Sequence, residues 1–87
     1  MTYIVTFEPV LPLVAAVITK QLETFPAHCQ IHAYAWAVST DWNAVQVRDY
    51  LMKIAPTAKI FVVRSGTEAA WFNSYGANYD EWLKKYL

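Results

Sequence analysis

At 87 residues the chain has room for one domain, spanning residues 1–87, with a small interior. Seven basic and seven acidic residues cancel, which argues against a nucleic-acid binder built on a basic stripe and against an acidic nucleic-acid mimic. A lone cysteine, Cys29, rules out an intrachain disulfide framework and fits a reducing, cytoplasmic setting, while 56% hydrophobic residues point to a partner-covered face.

Thr2 to Phe7 is rich in β-formers and alternates in polarity, which predicts a first strand. Pro9 and Pro12 end the extended run, and Pro12 suits a first helical turn. Leu11, Val14, Ala15, Ile18, Leu22 and Phe25 recur at helical spacing, so a helix is expected over roughly Leu11 to Thr24. Leu13 and Val17 lie off that stripe and make the first half of the helix apolar nearly all round. Such a helix is normally covered on more than one side, which makes Leu13 and Val17 candidate partner-binding residues. The apolar run from Val10 to Ile18 is too short to span a bilayer and lacks a basic flank, so no membrane segment or signal peptide is expected.

Pro26 stops this helix. Ala27 to Thr40 favours extended structure and predicts two antiparallel strands with a turn near His32 to Tyr34. Asp41 is the expected N-cap of a second helix, with Ala44, Val47, Leu51 and Ile54 as its buried stripe and Asp49 and Lys53 paired on its surface. Pro56 ends it. Lys59 to Arg64 reads as a strand whose unbroken run Ile60 to Val63 implies burial on both faces. Ser65, Gly66 and Thr67 form a turn, Ala69 to Phe72 a short strand or packed segment, and Asn73 to Ala77 a loop. Asn78 and Glu81 have capping-box spacing before a final helix whose face carries Tyr79, Trp82, Leu83, Tyr86 and Leu87. The expected fold class is therefore α+β: a ferredoxin-like βαββαβ sandwich with an additional C-terminal helix.

Several stretches resemble one family. They are Thr2-Tyr3-Ile4-Val5-Thr6-Phe7-Glu8, Trp36-Ala37-Val38-Ser39-Thr40, Val47-Arg48-Asp49-Tyr50-Leu51, Phe61-Val62-Val63-Arg64 leading to Gly66-Thr67-Glu68-Ala69-Ala70-Trp71, and the ending Glu81 to Leu87. In this order and spacing they resemble the SinR-like proteins, which are similar to the small ribonuclease-type proteins of CRISPR spacer adaptation and to the VapD toxins. The resemblance is weakest over residues 8–33. It implies a ferredoxin-like fold, a homodimer, and a carboxylate at the end of the first strand, near the two-fold axis, in a metal-dependent nuclease role. Glu8 stands where the family has aspartate, and Pro9 follows it. The longer side chain alters any metal geometry tuned for aspartate.

Glu8 is accordingly the candidate catalytic and metal-binding residue. Two copies facing each other could hold Mg²⁺ or Mn²⁺ and activate water for phosphodiester cleavage; the plainer alternative is a solvated glutamate at a strand end. Arg48 and Arg64, with Lys53 and Lys59, are candidate nucleic-acid contacts. His28 and His32 sit too far apart on a strand to share an ion, and Cys29 and His32 point to opposite faces, so zinc is not expected. Nothing in the sequence activates Cys29 as a nucleophile. Ser65-Gly66-Thr67 lacks the spacing and lysine of a phosphate-binding loop. Trp36, Trp42, Trp71 and Trp82 lack interleaved basic residues and read as core or interface, with Trp71 a further candidate partner contact.

The leading expectation is a non-enzymatic, homodimeric protein-interaction module without cofactor. The resemblance links it to phage defence, toxin–antitoxin systems or mobile elements. One alternative is a divalent-metal-dependent endonuclease using Glu8 from both subunits. Another is an inhibitor that binds a host or phage protein through the first helix.

Overall fold

The structure, a computed structural model, describes residues 1–9, 11–66 and 79–86. The elements run β1 (Thr2–Glu8), α1 (Pro12–Leu22), β2 (Ala27–His32), β3 (Ala35–Ser39), α2 (Ala44–Ile54), β4 (Lys59–Arg64) and α3 (Tyr79–Tyr86). The expected turn at Gly66-Thr67, the Ala69–Phe72 segment, the Asn73–Ala77 loop, the Asn78 cap, Trp71 and Leu87 fall wholly or partly outside the described residues.

The four strands form one antiparallel sheet in the order β2-β3-β1-β4. This order follows from the connections. β2 and β3 are joined by the short turn at Ala33 and Tyr34, so they pair directly. β1 runs parallel to β2, and β3 parallel to β4, and each of these pairs needs a helical crossover over the strand between. Right-handed crossovers place α1 and α2 on the same face of the sheet.

Strand alternation then sets the core. Tyr3, Val5 and Phe7 of β1 and Trp36 and Val38 of β3 turn to the helical face. There they bury against Ile18 and Leu22 of α1, Phe25, and Val47 and Leu51 of α2. The opposite face is partly covered. Thr2 shares it, and its hydroxyl donates to the Tyr86 carbonyl at 2.9 Å, which brings α3 to that side. α3 packs on β2, and Cys29, Ala37 and Leu83 are buried outside the main cluster.

Four expectations are corrected. The second helix is capped by Asn43, not Asp41: the Asn43 side chain accepts from the Gln46 N–H, and the Gln46 side chain accepts from the Asn43 N–H, both at 2.9 Å. Asp41 and Trp42 are used to leave the sheet, and Trp42 seats its ring against Phe25 and Tyr50 before the helix begins. Ile54 is exposed, and Ala55 after the helix is buried in its stead. Asp49 pairs with the neighbouring Arg48 at 2.9 Å, not with Lys53. β4, finally, is at the edge of the sheet among the described residues and is buried on one face only: Ile60 and Val62 pack against the core, whereas Phe61 is 64% and Val63 46% exposed.

Candidate functional site

Among the described residues, no helix covers the outer face of the sheet over β1 and β4. Cross-strand register places Val63 opposite Ile4, Phe61 opposite Thr6, and Lys59 opposite Glu8. Directly opposed residues share a face, and Ile4, Thr6 and Glu8 alternate with the buried Tyr3, Val5 and Phe7. One strip of the outer face therefore carries apolar side chains at one end and an opposite-charge pair at the other. Thr6, Phe7, Glu8, Lys59, Ile60 and Phe61 line a shallow depression of about 370 Å³ at the charged end.

Glu8 Oε1 lies 3.7 Å from Lys59 Nζ, with both side chains well exposed. An ion pair of this kind contributes little to stability, because water screens it and two long side chains must be held in place. Its value is in orientation: the only carboxylate of the strip among the described residues is already turned to a cation of its own chain.

The candidate nucleic-acid residues do not gather around Glu8. Arg64 pairs with Tyr3, five residues along β1 from Glu8, or about 17 Å at roughly 3.3 Å per residue. Its cross-strand position puts it on the helical side of β4, away from the face that bears Glu8. Arg48 lies on α2, where Nε and Nη2 donate to Asp49 Oδ1 at 3.1 and 2.9 Å. Lys59 alone of the four expected cations adjoins Glu8.

Leu13 and Val17 stand on α1 one turn apart, 74% and 38% exposed, so neither is covered within the protomer by the described elements. They lie on the helical side of the sheet, opposite the Phe61 strip. Trp71, the third expected partner contact, lies outside the described residues.

His28 and Cys29 have structural surroundings. The Phe25 carbonyl can only accept, so the 3.1 Å contact makes His28 Nδ1 the donor. Cys29 is fully buried, and burial raises its thiol from 9.0 to about 11, which keeps it protonated and unreactive. His32 is exposed at the strand end. Among the described residues no three His, Cys, Asp or Glu side chains come together as a metal site, and no helix is long and apolar enough to cross a membrane.

Sequence reasoning missed Phe61 and Val63 as surface residues. An unbroken apolar run has the same pattern in an edge strand as in a central one, and what separates the two cases is the strand order and the side of the sheet that α3 covers. No family model, curated protein or solved structure matches this chain.

Proposed function

We propose that the protein is a homodimeric interaction module with a ferredoxin-like core and an added C-terminal helix, of the kind its resemblance to SinR-like proteins implies. The observation that carries this is the strip Ile4, Phe61 and Val63, exposed or half-exposed beside the Glu8–Lys59 pair. A flat apolar sheet face packs readily on a second sheet at about 10 Å. In a two-fold interface each residue meets its complement on the other copy. A strip with one acid and one base at the same end is complementary to itself. Glu8 can face Lys59 of a second copy, and Lys59 that copy's Glu8, while the phenylalanines meet beside these pairs at the apolar end. Removing Phe61 and Val63 from water would contribute about 25 cal/mol per Å² of apolar surface.

The nuclease alternative uses the same geometry, since the two glutamates would lie near the axis. It is disfavoured by the cation each carboxylate already faces and by the distance to Arg64. Leu13 and Val17 remain the second candidate face, suited to a different protein partner.

Size-exclusion chromatography with light scattering tests the dimer. The wild type is expected at twice the 10.0 kDa protomer mass at tens of micromolar, roughly the scale of weak specific association. Phe61→Lys should run as a monomer with unchanged circular dichroism, and Leu13→Glu should remain a dimer. A wild-type monomer, or a dimer lost only in Leu13→Glu, would overturn the proposal.

A further inference from the structure

A second concavity, of about 500 Å³, lies between the end of α1 and the connection from β3 to α2. Three of its walls are aromatic. Phe25, Trp42 and Tyr50 meet one another edge to face, with centroids 5.2 to 5.6 Å apart and interplanar angles of 76° to 84°. Each ring fixes the plane of the next, so the aromatic wall is held before any ligand arrives.

Its polar atoms are mostly acceptors. Thr24 Oγ1 donates its one proton to the Gln21 carbonyl at 2.6 Å, so in its 2.9 Å contact with Tyr50 the phenol is the donor. The lone pairs of Tyr50 Oη stay available. Asp41 contributes an exposed carboxylate with no ion pair among the described residues. Thr40 Oγ1 already accepts from the Trp42 N–H at 3.2 Å, and Pro26 has no N–H. Among the described residues no Lys, Arg or His lines the groove.

Aromatic faces, free acceptors and an unpaired carboxylate make a site that rejects anions and attracts a cation able to donate hydrogen bonds. We propose that this groove binds an arginine side chain presented by a partner polypeptide. Arginine fits better than lysine: its planar guanidinium stacks on a ring face while its edge donates two parallel bonds to a carboxylate. At about 500 Å³ the groove is also larger than a bare cation needs, and the apolar stem of an arginine fills the space beside Pro26 and Phe25. The site is on a different part of the surface from the β4 strip and stands or falls independently of the dimer.

The test is a titration of the ¹⁵N-labelled full chain with the capped tripeptide acetyl-Gly-Arg-Gly-amide, followed through the Trp42 indole and the Asp41 amide. Saturable shifts with a Kd of about 1–10 mM are expected, the range for one side chain in a preformed site. The citrulline and lysine tripeptides and guanidinium chloride should bind at least about fivefold more weakly, a difference of about 1 kcal/mol. Asp41→Asn, an exposed change outside the Asn43 cap, should weaken the arginine peptide by a similar factor with the remaining spectrum unchanged. Equal binding of the citrulline or lysine peptide or of guanidinium chloride, no shift up to about 50 mM, or an undiminished affinity in Asp41→Asn would each overturn the assignment.

Discussion

Cys29 lies under α3, paired across the sheet with Ala37, and both are fully buried. Because burial raises its thiol to about 11, the unfolded chain releases this proton near 9 and the folded chain two units later. The native state binds more protons across that window. Its contribution to stability is complete below about pH 9 and is lost as the pH rises towards about 11. Urea unfolding at rising pH should therefore show a steeper alkaline loss for the wild type than for Cys29→Ala. Equal slopes would contradict the burial of the thiol. Trp36 presents a second residue-scale case. It is 2% exposed, and its indole Nε1 has no hydrogen-bond partner among the described residues. An unpaired buried donor costs about 1–3 kcal/mol. Trp36→Phe removes that donor while keeping a ring, so it should cost no more than about 1 kcal/mol, well short of the roughly 3–5 kcal/mol of an aromatic-to-alanine change. Chemical denaturation checks this, and a loss of the larger size would show that the N–H is satisfied.

At the scale of elements, the start of α2 is the clearest lesson. Asp41 and Asn43 are both good N-caps by residue type, and each precedes the same apolar stripe. What separates them is Trp42, which must reach Phe25 and Tyr50 before the chain turns into the helix, and the reciprocal spacing of Asn43 and Gln46. Asn43→Ala should cost about 1 kcal/mol, whereas Asp41→Ala should stay within about 0.5 kcal/mol; thermal or urea unfolding separates the two. The strands β1, β2 and β3 and the Ile18–Leu22 and Val47–Leu51 stripes were legible because residue type and period are local signals, whereas the turn at Ala33 and Tyr34 has no strong breaker and could be placed only near His32 to Tyr34. The exposure of Phe61 and Val63 was not legible, because it depends on β4 being an edge strand and on α3 covering β2 instead. Glu8 was legible as a strand-end carboxylate, but its pairing with Lys59 depends on the β1–β4 register.

At the scale of the whole molecule, the apolar excess surfaces at several places among the described residues, and two of them lie on opposite sides of the sheet. Leu13 and Val17 project from α1, and Phe61 and Val63 from the open sheet face. The sheet strip is the better fit for a second copy, because it carries its own complementary charges. The helix pair shares its face of α1 with Lys20, a charge of one sign only, and suits a different protein. Filtered nuclear Overhauser spectroscopy on an equal mixture of ¹³C-labelled and unlabelled chains tests this division most directly. The account predicts intermolecular contacts from the Phe61 ring to the Val63 and Ile4 methyl groups. Intermolecular contacts confined to Leu13 and Val17, or none in a sample that scatters as a dimer, would contradict it.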